Sequence, residues 1–103
     1  MSNNLQQTPF SILNNKENMR FEIHVEDEVA YLEYRMYKKD IAFMHTFVPE
    51  KLGGRGLASS LAIYAFAYAK EHNLPVMVYC PYVAGFIKKY PEYKVQLDPQ
   101  YYH

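Results

Sequence analysis

The sequence predicts a mixed fold, between the α+β and α/β classes, of three antiparallel strands followed by a helix, a strand and a helix. Three features carry that reading. Apolar and polar residues alternate one by one from Arg20, apolar spacing turns helical after Gly56, and a short apolar run follows that helix.

The alternation opens with Phe21, Ile23 and Val25 set against Arg20, Glu22 and His24, the pattern of a half-buried strand. Glu26-Asp27-Glu28 makes a polar turn, Val29 to Tyr37 a second strand, and Lys38-Lys39-Asp40 a second turn. A third, more apolar strand runs from Ile41 to Val48 and stops at Pro49, which has no N–H to give to a ladder. From Gly56 to about His72, Leu57, Leu61, Tyr64 and Tyr68 recur at helical spacing among alanines. The helix carries charge only at Lys70 and Glu71, so most of its circumference is expected to be buried. Asn73 suits the position that ends it. Pro75 to Cys80 reads as an interior parallel strand, which makes Ile41 to Cys80 a right-handed crossover. Pro81 then fixes the first turn of a second helix, with Tyr82, Phe86 and Tyr90 on one face, and Pro91 closes it. The stretch before Arg20 shows no periodicity. Residues 1–17 are therefore expected to be a flexible polar leader, 18–96 one domain, and 97–103 a C-terminal tail.

With 103 residues, half of them hydrophobic, the chain can bury one core without metal or disulfide staples. Eleven Lys and Arg balance eleven Asp and Glu, and no basic stripe is visible, so nucleic acid is not an expected partner. A mean hydropathy of −0.35 and the lack of a long apolar run speak against a membrane span. One cysteine cannot form an internal disulfide, and Met1 to Thr8 has no signal-peptide pattern, so the cytoplasm is the expected compartment. His24, His72 and His103 have no partner at ligand spacing, and no metal site is expected.

Three of the four glycines fall in one turn, Lys51-Leu52-Gly53-Gly54-Arg55-Gly56, between the third strand and the main helix. Glycine there allows positive φ and close approach of a ligand to the backbone, while the helix start offers unpaired amides and a positive dipole end. Lys51 and Arg55 add charge, so the turn reads as a pyrophosphate cradle; the plainer alternative is a tight connection. A Walker loop would need Gly-Lys followed by Ser or Thr, and a dinucleotide site an acidic residue near the end of the next strand. Both are absent, since Val78-Tyr79-Cys80 occupies the latter position.

The turn resembles the signature of the GNAT superfamily of acyl-CoA N-acyltransferases: Gln or Arg, two variable residues, Gly, a variable residue, then Gly or Ala. Lys51 stands in the first place. The resemblance extends from about Arg20 to Tyr93, through His45-Thr46-Phe47-Val48-Pro49, Gly54-Arg55-Gly56-Leu57-Ala58, Cys80-Pro81-Tyr82-Val83 and Tyr90-Pro91-Glu92-Tyr93, and is strongest to the very small, single-domain members. It implies a truncated GNAT fold with acetyl-CoA as cosubstrate, an unidentified amine as acceptor, and a monomer or weak homodimer. Full-length members place a strand and two helices before this core, and this chain is expected to lack them.

The resemblance also implies site residues. Lys51 to Ala58, that is Lys51, Leu52, Gly53, Gly54, Arg55, Gly56, Leu57 and Ala58, would hold the diphosphate, and the backbone near Phe47 and Val48 would hold the pantetheine arm. Cys80, beside a helix start that favours the thiolate, is a candidate nucleophile, or a buried apolar filler. His45, on the strand beside the thioester path with Thr46 alternating to the other face, is a candidate base for an acceptor amine or for Cys80, or an ordinary sheet histidine. Tyr82 and Tyr90 are candidate proton donors to the departing thiolate. Two other readings stand beside the transferase: a silent coenzyme A-binding module, and a structural homodimer joined through a tyrosine-rich sheet.

Overall fold

The computed structural model describes residues 10–101; the expectations for Met1 to Thr8 and for His103 lie outside the described residues. The sheet starts earlier than the alternation suggests. A short strand, β1 (Leu13–Asn15), pairs antiparallel with β2 (Arg20–Val25), with Asn14 opposite Phe21. Polar side chains hold it, which is why no apolar pattern marks it in the sequence. The Tyr34 hydroxyl donates to Asn14 Oδ1 at 2.7 Å, and Asn15 Nδ2 to Glu22 Oε2 at 3.0 Å. Residues 13–15, expected in the leader, thus form an edge strand.

From β2 the chain turns through Glu26 into β3 (Glu28–Tyr37) and through Lys38 into β4 (Asp40–Phe47), each turn carrying a left-handed residue, with φ of 56° at Glu26 and 54° at Lys38. Then come a single 3₁₀ turn (Glu50–Leu52), α1 (Leu57–Glu71), β5 (Val76–Val78), α2 (Pro81–Lys89) and a 3₁₀ segment (Pro91–Gln96). The order β1-β2-β3-β4-β5 is antiparallel except for the parallel β4–β5 pair. Asn73, expected to end α1, sits one residue past its C-cap His72 in the left-handed region, at φ 58°.

Both helices cover one face of the sheet. Phe21, Ile23, Ala30, Leu32, Ile41 and Phe43 point to that face and are fully buried with Leu61, Ala65 and Phe66 of α1 and Val83 of α2. Phe66 is the hinge of this core, edge-on to Phe43 at 5.3 Å and stacked with Phe86 of α2 at 6.3 Å. The alanines of α1 bring its backbone close to the sheet. No helix covers the opposite face among the described residues, and we call it the outer face.

The tail is docked as well. Leu97 bridges Val76, and the Asp98 amide donates to the Val76 carbonyl at 3.0 Å, so residues 97–98 extend the sheet edge instead of leaving it. The Lys39 ammonium lies 3.2 Å from both the Asp40 and Asp98 carboxylates, which are almost wholly buried.

Candidate active site

Two leucines pin the glycine turn and leave everything between them in solvent. Leu52 and Leu57 are 2% and 1% exposed, whereas Gly53, Gly54, Arg55 and Gly56 are all open. Gly54 (φ 78°) and Gly56 (φ 80°) occupy the left-handed region, which explains why glycine is needed at both. An added Cβ at Gly54 would meet nothing within 4 Å; at Gly53 it would come within 3.3 Å of the Glu50 carbonyl. Gly54 therefore serves the space outside the loop, and Gly53 the loop itself.

Gly56 is the N-cap of α1, with no side chain capping it. The helical ladder begins with the Ser60 amide on the Gly56 carbonyl, 3.1 Å, so the amides of 57–59 precede it and present the positive end of α1 beside the turn. The two cations differ. Lys51 Nζ lies 3.6 Å from the Glu28 carboxylate, while Arg55 is exposed and makes no ion pair among the described residues.

The second element of the site is a fork in the sheet. β4 and β5 pair only over Ile41–Val76, Ala42–Met77 and Phe43–Val78. The Phe43 carbonyl then accepts from both the Tyr79 and Cys80 amides, at 2.9 and 3.0 Å, and the parallel ladder ends. Beyond it β4 continues to Phe47 paired with β3 alone. The strand expected over Pro75–Cys80 is cut to three residues because two successive amides converge on one acceptor.

A β-bulge accompanies the fork. Tyr34 pairs with Phe43 but Glu33 with His45, so Met44 is the extra residue. One residue reverses the alternation. Simple alternation from Ile41 and Phe43 would turn His45 and Phe47 toward the helices; the bulge turns both to the outer face and Thr46 inward. The Tyr31 ring on the outer face lies 6.2 Å from that of His45 and 5.5 Å from that of Phe47. Thr46 Oγ1 stands 3.2 Å from Cys80 Sγ, a contact that closes the inner side of the fork.

Cys80 is 1% exposed and forms the N-cap of α2. It and His45 lie on opposite sides of β4, so the imidazole is not placed to take a proton from the thiol. Val48 is half-buried against the core. Thr46 is the residue near the thiol that sequence reasoning left without a role; only the position of the bulge reveals it.

A groove of about 510 Å³ runs between the first turn of α1 and α2, lined by Ser59, Tyr82, Gly85, Phe86, Lys89 and Tyr90. Burial raises the Tyr82 phenol above its ordinary range, reinforced by Tyr90 and partly offset by the Ser59 hydroxyl. Among the described residues no group of His, Cys, Asp or Glu is placed to hold a metal ion, and no helix is long and apolar enough to cross a membrane.

A profile of the GCN5-related N-acetyl-transferase family matches residues 20–96. The chain belongs to this family. The assignment brings the enzyme class, N-acetyltransferase, and fits the observed GNAT-like fold, because the matched segment holds every element from β2 to the last 3₁₀ segment. The protein named NATD1 from Bos taurus is 28% identical over 99 residues, covering 91% of this chain and 88% of the relative. NATD1 from Xenopus tropicalis is 32% identical over 75 residues, 71% and 69% of the two chains, and the Homo sapiens protein 26% identical over 99 residues, 91% and 88%. In this GNAT chain the signature turn opens α1, and the first turn of that helix lines the groove against α2 through Ser59.

Proposed function

We propose that the protein binds acetyl-CoA and catalyses transfer of its acetyl group to an amine. The observation that carries the reading is the parting of β4 and β5 at Phe43, next to a left-handed glycine turn that opens the main helix. An extended pantetheine amide needs a strand edge with unused hydrogen-bonding groups, and the stretch from Met44 to Val48 offers that edge on its β5 side. A diphosphate needs converging amides and room, which Gly53 to Ala58 supply, with Arg55 as the available cation. Lys51, tied to Glu28, supports the loop from outside.

Acetyl-CoA supplies an activated acetyl group as a thioester. The chain's own residues orient it and manage protons. Backbone amides near Phe47 and Val48 fix the carbonyl, a role that no side chain has to fill. On the outer face His45, exposed and beside Tyr31, is positioned to take a proton from an incoming amine. Tyr82, kept protonated by its raised pKa, can return a proton on the helix side. Cys80, buried and facing Thr46, shapes the inner wall of the fork, so direct transfer is favoured over an acetyl-cysteine route. A single buried thiol suits a reducing cytoplasm, and a monomer is sufficient for this site.

Thermal denaturation with acetyl-CoA tests the reading. A ligand that binds only the native state raises Tm, by the equivalent of about 2.7 kcal/mol at a hundredfold excess over Kd. An unchanged Tm at millimolar acetyl-CoA would remove the proposal.

A further inference from the structure

The outer face of the sheet holds a hollow of about 520 Å³ straddling the fork, within the size range of small-ligand pockets. Met44 of β4, Met77 of β5 and Tyr79 just beyond it line it from the two prongs, Met36 of β3 adds to the wall, and Tyr101 of the docked tail stands edge-on to Tyr79 at 5.4 Å. Thioethers and phenol rings together make an adaptable wall for a flat apolar body. Three of the chain's five methionines are spent on it.

The charge in this lining is a single guanidinium, Arg35, and it is committed. It donates to the Tyr34 carbonyl at 2.8 Å and to the Glu33 carboxylate at 3.1 Å. Glu33 lies directly opposite His45 across β3 and β4, one step past the Met44 bulge. On the same outer face, next along β4 from the Met44 that lines the hollow, one imidazole thus faces one carboxylate. By the start of β4 the Asp40 and Asp98 carboxylates are almost wholly buried and share the Lys39 ammonium, whereas the Glu33 carboxylate beside Arg35 is 30% exposed and has room for a second cation.

We propose that this hollow holds the acetyl acceptor, and that the acceptor is a primary monoamine on an aromatic apolar body, not a polyamine. The proposal rests on the acetyl-CoA reading of the fork. The body lies among Met44, Met77 and Tyr79, and the ammonium points to Glu33 and His45. His45 removes one proton, leaving the amine with a lone pair. That pair forms the N–C bond to the thioester carbonyl as the C–S bond breaks; the nitrogen then sheds a second proton and the departing thiolate takes one up. The sum is an ammonium ion and a thioester converted to an amide, a thiol and one released proton.

Methyl-¹³C methionine labelling provides the test, read on protein saturated with coenzyme A, which carries no acetyl group and stops turnover. Titration with 2-phenylethylamine is expected to shift the Met36, Met44 and Met77 methyl signals and leave Met19 in place, while spermidine at equal concentration moves none. Tyr79→Ala, at a half-exposed position where folding is not at stake, should weaken the amine about fivefold and leave the coenzyme-induced rise in Tm intact. Unmoved pocket methyls in protein that does bind coenzyme A would overturn the acceptor proposal alone. Equal shifts with spermidine would overturn its chemical class, and failure of coenzyme A to raise Tm would instead overturn the reading of the fork.

Discussion

Gly54 offers a way to separate a ligand's need for the turn from the fold's need for it. At φ 78° a residue with a Cβ is strained by roughly 1–2 kcal/mol, of which about 0.4–1 is returned because the unfolded chain loses freedom. Nothing lies within 4 Å of the added carbon, so no clash term follows. Gly54→Ala should therefore cost about 1 kcal/mol, or about 4–8 °C in Tm for a domain of this size. Gly54→Asn should cost less, since asparagine tolerates the left-handed region, yet it projects more atoms into the space proposed for the diphosphate. Differential scanning fluorimetry with and without acetyl-CoA reads both quantities at once. Wild type at a hundredfold excess should gain about 2.7 kcal/mol, roughly 10–20 °C, and Gly54→Asn should lose most of that gain while its ligand-free Tm stays near wild type. If Gly54→Asn keeps the full acetyl-CoA shift, the backbone at Gly54 is not approached and the cradle is misplaced.

Cys80→Ala should retain acetyl transfer and lose about 1 kcal/mol of stability from the vacated sulfur volume, as measured by urea midpoint and product formation; abolished transfer in a folded variant would restore the thiol as nucleophile. Glu22 is nearly buried, which pushes its pKa up, but hydrogen bonds from His24, Asn15 and Arg20 outweigh burial and hold it below the ordinary 4.5. Its contribution is thus complete above that value and lost as pH falls through the depressed one, so Glu22→Gln should cost about 1–3 kcal/mol at pH 7 and progressively less in urea titrations below pH 4.5. Asp40 behaves oppositely, because burial and then its hydrogen bond with Asp98 raise its pKa and make its ionised form a burden as pH rises. Asp40→Asn should increase stability at pH 7.5 by up to about 1 kcal/mol and leave it unchanged near pH 3, and a loss at pH 7.5 would show that the Lys39 contact matters more than the carboxylate pair.

Much of this molecule was legible from its sequence for one reason: local pattern and global packing agree over most of it. Phe21, Ile23 and Val25 alternate because a helix covers one face of β2, and the alanines of α1 announce a helix pressed on a sheet. The glycine turn was legible because left-handed backbone at positions 54 and 56 leaves few residue choices. What stayed hidden depends on pairing between distant segments. Asn14 and Asn15 belong to a strand only because Tyr34 and Glu22 reach them, and Leu97 extends the sheet only because Val76 has a free edge. The segment Phe43-Met44-His45-Thr46-Phe47 consists of residues at ease in any strand, so nothing in it marks Met44 as the extra one. The sides taken by His45 and Thr46 were therefore beyond a local reading.

That bulge has a consequence for the inheritance of the site. Everything upstream of Met44 on its strand keeps one phase and everything downstream the other, so the faces taken by His45 and Thr46 depend on the extra residue being taken up as a bulge. Removing Met44 would leave Phe43 opposite Tyr34 and His45 opposite Glu33 in unbroken alternation, with Thr46 still against the buried thiol, whereas flattening the bulge at full length would turn the imidazole inward and the hydroxyl outward. The arrangement of reactive groups about the fork is thus recorded in the register between two strands, more than in the alternation along one.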